Sequence, residues 1–134
     1  MDAVIYRGEA GDRRGKAGDH RRIAGDKRKR AEESRSEAER YRAIARGRRT
    51  MADCMRKDAS KWWWFPASRR NCRELAESCE EGATVADKIV ELLEDTAAEQ
   101  DKTAESNEAI AACLEAVAVR LEMAASEARS DSVF

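Results

Sequence analysis

Stepped through in alternating threes and fours, residues 72–128 keep one register of small, apolar and occasional polar side chains. The positions are Cys72, Leu75, Cys79, Gly82, Ala86, Ile89 and Leu93, then Thr96, Gln100, Thr103 and Asn107, then Ile110, Leu114, Val117, Leu121, Ala124 and Ala128. A heptad seam held this long predicts a coiled coil or a long bundle helix. Beside it runs a second row at strict sevens: Ala76, Ala83, Val90, Ala97, Ala104, Ala111, Ala118 and Ala125. Together the two rows make a face wide enough to meet more than one helix.

The same stepping, with Ala31, Ala38, Tyr41, Ala45, Ala52, Met55, Ala59 and Trp62, predicts an earlier helix over residues 26–63, flanked by Ile44 and Met51. Between the two lies Trp62-Trp63-Trp64-Phe65-Pro66. Proline disfavours helical geometry at the residue before it and interrupts the hydrogen-bond ladder. A turn over 64–70 is therefore expected. Asn71 with Glu74 three residues on resembles a capping box opening a helix over 71–128, with 129–134 as a tail. Gly82 falls in register and predicts at most a kink.

Folding back about Pro66 makes the chain an elongated antiparallel helical hairpin, all-α, with partner numbers adding to about 133–134. Leu93 then meets Tyr41, Ile89 meets Ile44, Cys79 meets Met55 or Cys54, and Cys72 meets Trp62. Arg40 faces Glu94. The polar seam of the second helix falls opposite Ser34, Ala31 and Lys27. The expected hairpin core is Tyr41, Ile44, Met55, Trp62, Leu75, Cys79, Ile89 and Leu93.

Residues 1–25 read as a Gly- and Arg-rich N-terminal arm. Ala-Gly-Asp recurs every seven residues, at Ala10, Ala17 and Ala24, with Gly8 and Gly15 besides. Each glycine costs about 1 kcal/mol against alanine in a helix, so a weak or partner-dependent helix is expected. The second helix outruns the first, which leaves Ile110, Leu114, Val117 and Leu121 for another chain to cover.

Composition changes the picture in three ways. Charged residues are 40% and aromatics 5%, which suits long helices that need a partner rather than a large globular core. Charge is unequally shared: residues 1–72 hold 21 Lys/Arg against 11 Asp/Glu, and residues 73–134 hold 5 against 16. The halves are expected to neutralise each other, within one chain or between chains. The rival is a basic half contacting nucleic-acid backbone through Arg13, Arg14, Arg21, Arg22, Arg28, Lys29 and Arg30. Three adjacent tryptophans cannot all be buried by one neighbour. Trp63 and Trp64 are therefore expected as exposed protein-interface anchors, with a peripheral membrane contact as a further alternative.

Neither a catalytic constellation nor a metal-ligand spacing occurs, and the four cysteines form no CxxC pair. An enzyme, a cofactor, a small-molecule substrate and a membrane partner are not expected. His20 reads as a solvated or phosphate-facing residue. Without a secretory signal pattern at Met1–Tyr6, an intracellular, cytoplasmic location is the default. The functional expectation is a structural or adaptor coiled-coil subunit, joined to its own copies or to a helical partner protein.

Overall fold

The computed structural model describes residues 2–131. Two helices make up the fold, α1 (Ala3–Lys61) and α2 (Pro66–Asp131), packed against each other as an all-α hairpin. The turn is tighter and earlier than 64–70. Phe65 N–H donates to Trp62 O at 2.9 Å, and the Phe65 carbonyl accepts from Arg69 N–H at 3.1 Å. Phe65 thus sits at the N-cap and Pro66 at the first helical position, where its missing N–H is no loss and its fixed φ suits the helix. That is why α2 starts at Pro66 and not at Asn71. The expected tail is helical as far as Asp131, and its last three residues lie outside the described ones.

α1 also runs unbroken through the segment expected as a separate arm. The reason lies in packing. Ala10, Ala17 and Ala24 are each at most 1% exposed, and they continue a buried row through Ala31, Ala38, Ala45, Ala52 and Ala59. In α2 the buried row is Ala76, Ala83, Val90, Ala97, Ala104, Ala111, Ala118 and Ala125, with Ala86 beside it. Tertiary burial of this face outweighs the weak helix propensity of the glycines.

The core is therefore made of small residues. Among the described residues, nothing larger than valine is buried. Tyr41, Met55, Cys79, Ile89 and Leu93 are only half-buried, whereas Ile44, Trp62 and Leu75 are exposed. This corrects the expected hairpin core: the alanines fill the contact and the large side chains flank it. Small side chains let two helix axes approach toward the lower end of the usual range of about 8–10 Å.

The hairpin divides into two compact units, Met1–Ala31 with Glu99–Phe134, and Glu32–Ala98. In the second unit, Ala45 packs with Ala83 and Ala86, and Tyr41 lies against them. Gly82 lies under the side chain of Arg48, which a Cβ there would push aside. No kink is needed, and α2 passes through Gly82 with ordinary helical backbone.

Candidate interaction surfaces

One flank of the alanine row carries ion pairs in each unit. In the terminal unit, Arg14 grips Glu122 through two bonds of 2.8 and 2.9 Å, and Arg28 grips Glu108 through two of 2.9 Å. Arg21 grips Glu115 through two of 2.8 Å. These are the fork-to-fork contacts for which a planar guanidinium is suited. In the other unit Arg42 pairs with Glu94, Arg49 with Asp87, and Arg56 with Glu80. The two residue numbers of every one of these pairs add to 136.

That register differs from the expected 133–134, and Glu94 takes Arg42 rather than Arg40. The packed alanines run the other way: Ala45 with Ala83 adds to 128 and with Ala86 to 131. The gap between these sums has a geometric cause. Side chains lean toward the N-terminus of their own helix. In an antiparallel pair, long side chains therefore converge from Cα atoms that are not level.

The bridging groups are solvent-accessible, but the bonds still bias their titration. The carboxyls of Glu122, Glu115, Glu108 and Glu80 are lowered, each chiefly by its bond from an arginine. The partner arginines are raised by the same bonds. A lowered carboxyl stabilises the fold above its unfolded pKa, near 4.3 for glutamate, and loses that contribution as pH falls through the folded value. A raised arginine contributes at every pH below its already high unfolded value. Helicity is thus expected to hold through neutral pH and to weaken below about pH 4, with a midpoint that shifts upward in high salt. Circular dichroism against pH at two ionic strengths checks this. Exchanging the charges of one pair, Arg21→Glu with Glu115→Arg, is expected to restore most of the thermal midpoint that either change alone removes. No recovery in the double variant would contradict the pairing.

The opposite flank is mixed. His20 Nδ1 lies 2.7 Å from Asn107 Oδ1, half-buried, while Asn107 Nδ2 donates to Thr103 O at 2.9 Å. With the amide oriented that way, His20 donates from Nδ1. His20 is therefore an inter-helix contact and not a phosphate-facing residue. Its place three residues after Ala17, on the same row as Tyr41 and Met55, carried that signal. Thr96 and Thr103 bond to carbonyls of their own helix instead of reaching across. Gln100 Oε1 is buried without a hydrogen-bond partner.

Several large apolar side chains stay open to solvent. In the turn unit, Ile44, Met51, Leu75 and Val85 are 44–56% exposed and Leu92 is 66% exposed. Tyr41, Ile44 and Ile89 line one shallow groove with Arg48 and Gly82. In the terminal unit, Ile110 and Val117 are exposed, while Leu114 and Leu121 are half-buried. Trp63 and Trp64, the expected anchors, are exposed at the turn.

Of the residues proposed for nucleic acid, Arg14, Arg21 and Arg28 are committed to glutamates of α2, and Arg22 pairs with Asp19 at 2.9 Å. Arg13 is half-buried, and Lys29 and Arg30 are exposed. All four cysteines are free thiols, Cys54 and Cys79 included. No described helix is long and apolar enough to cross a membrane. Compared with known protein families, curated proteins and solved structures, the chain matches none.

Proposed function

We propose that this chain is a structural or adaptor subunit whose hairpin pairs as an alanine-cored coiled coil and assembles with further helices. The observation that carries this reading is the placement of the large apolar side chains. They sit beside the core, half-covered, where a third or fourth helix would complete their burial. The surface is in keeping with this. The chain exposes 9553 Å², against roughly 7,000 Å² for a compact monomer of its 15.0 kDa mass. An alanine core also stabilises weakly, since a methyl group contributes about 0.8 kcal/mol on burial where a leucine contributes about 1.5–3.

Charge suits assembly as well. α1 holds 19 Lys/Arg against 10 Asp/Glu, or +9, and α2 holds 7 against 16, or −9. The intramolecular pairs use only part of each set. The outer edges therefore remain of opposite sign, as two copies related by a two-fold axis need. The nucleic-acid reading draws less support, because four of its seven basic residues already face carboxylates.

Sedimentation equilibrium over a range of protein concentrations tests the proposal. The expected result is an oligomer that persists in high salt and is weakened when Ile110 and Val117 are both replaced by serine. A salt-independent monomer of full helicity would overturn it.

A further inference from the structure

The turn gathers what neither helix needs for folding. Trp62, Trp63, Trp64 and Phe65 are 40, 73, 61 and 48% exposed, and no helix covers them. Trp62 and Trp64 lie against each other with ring centroids 5.5 Å apart, and Phe65 joins both at 6.4 and 5.9 Å. The result is a cohesive aromatic tip held between two helix ends, with Trp63 the most exposed of its rings.

The surroundings of this tip are basic. Residues 57–73 contain five Lys/Arg against one Asp. Lys61 ends α1, and its ammonium is 3.9 Å from Asp58. Arg69 and Arg70 stand at the start of α2, whose first turn has no acidic residue. The positive end of the helix dipole disfavours cations there. Elsewhere in the chain arginines meet carboxylates across the hairpin; Lys61, Arg69 and Arg70 instead stand within a few residues of the aromatic run along the sequence. Amphipathic aromatics with cations close by match the interfacial zone of a bilayer with anionic headgroups.

We propose that the aromatic tip is a docking point for an anionic membrane surface, with Trp63 and Trp64 entering the interfacial zone and Lys61, Arg69 and Arg70 meeting lipid phosphates and carboxylates. This goes beyond the assembly reading and does not depend on it. A protein pocket accepting the same rings would not require the collar of positive charge.

All three tryptophans of the chain are in the tip, so intrinsic fluorescence reports on this site alone. The full-length chain is titrated with phosphatidylcholine vesicles with and without phosphatidylserine, and vesicle co-sedimentation is measured alongside. The expected result is a blue-shifted emission and co-sedimentation with the phosphatidylserine vesicles only. Neutralising two cations, Arg69→Gln with Arg70→Gln, is expected to weaken binding about thirty-fold, on the basis of roughly a fivefold contribution per basic residue at such a surface. Trp63→Ala with Trp64→Ala is expected to abolish co-sedimentation while leaving the circular dichroism and the sedimentation state unchanged. Binding that is absent, indifferent to phosphatidylserine, or unaltered by loss of both tryptophans would overturn the proposal. An altered oligomeric state in the tryptophan variant would place the tip in the assembly interface instead, and would overturn it as well.

Discussion

Replacing Gly8, Gly11, Gly15, Gly18, Gly25 and Gly47 together by alanine is expected to stabilise the hairpin by about 3–6 kcal/mol. Each lies in a helix, and a Cβ built at any of them meets nothing within 4 Å. Alanine removes backbone freedom from the unfolded chain at positions where the folded conformation is already helical. For a chain of this size the thermal midpoint should rise by more than about 10 °C, read by circular dichroism. Gly82 is left out, because its Cβ would strike Arg48. A midpoint that does not move would mean that α1 is frayed through its glycine-bearing part. The same variant bears on assembly. If a neighbouring chain packs on the glycine positions, the oligomer should loosen even as the hairpin hardens.

The second large effect runs the other way. Ala83→Leu is expected to destabilise by about 1–3 kcal/mol, since the added carbons must fit between backbones held apart only by alanines. Ala83 is fully buried and packed with Ala45 and Ala86. Chemical denaturation should show a lower midpoint with an unchanged slope. Leu92→Ala, at a site 66% exposed, removes as much apolar volume as Ala83→Leu adds, yet should change hairpin stability by less than about 0.5 kcal/mol. An Ala83→Leu variant as stable as the parent would show that the helices can part without cost, and that the alanine row is not the contact.

The hairpin was legible in the sequence because two independent signals agreed: a seven-residue period on both sides of Trp62–Pro66, and opposite charge on the two halves. The core was less legible. Weighting Leu75, Ile89 and Leu93 above Ala76, Ala83 and Ala97 follows from the usual rule that larger apolar groups drive burial. Here geometry reverses it, because the strict row of small residues lets the backbones close first and leaves the larger groups on the rim. The strict sevens of alanine on both helices were the available clue.

The continuity of α1 through the segment up to residue 25 was hidden for a related reason. Glycine propensity is a local cost, whereas the continuing alanine row and the Arg14, Arg21 and Arg28 pairs are tertiary gains. The register came out near but not at its true value. Counting from Pro66 could not anticipate how far arginine and glutamate lean along their axes, and Ala45 with Ala86 on one side of 133 and Arg42 with Glu94 on the other bracket the difference. His20 reads as solvated only if residues 1–25 are set apart from the helix; on a continuous α1 it falls on the row that meets Asn107.

The alanine rows and the arginine and carboxylate rows all repeat by seven, so each is nearly blind to a slide of one heptad. Slip α1 by seven residues and Arg14 finds Glu115, Arg21 finds Glu108, and alanines again oppose alanines. What breaks this translational sameness is local and aperiodic: the four-residue aromatic turn, the crossing of Arg48 over Gly82, and the single bond between His20 and Asn107. Sever the connection at the turn and the two helices become strips of a ruler with several equivalent settings, able to bridge successive chains out of step. The covalent turn is then the part that makes a self-contained hairpin out of a sequence whose repeats would equally well build an open-ended strand.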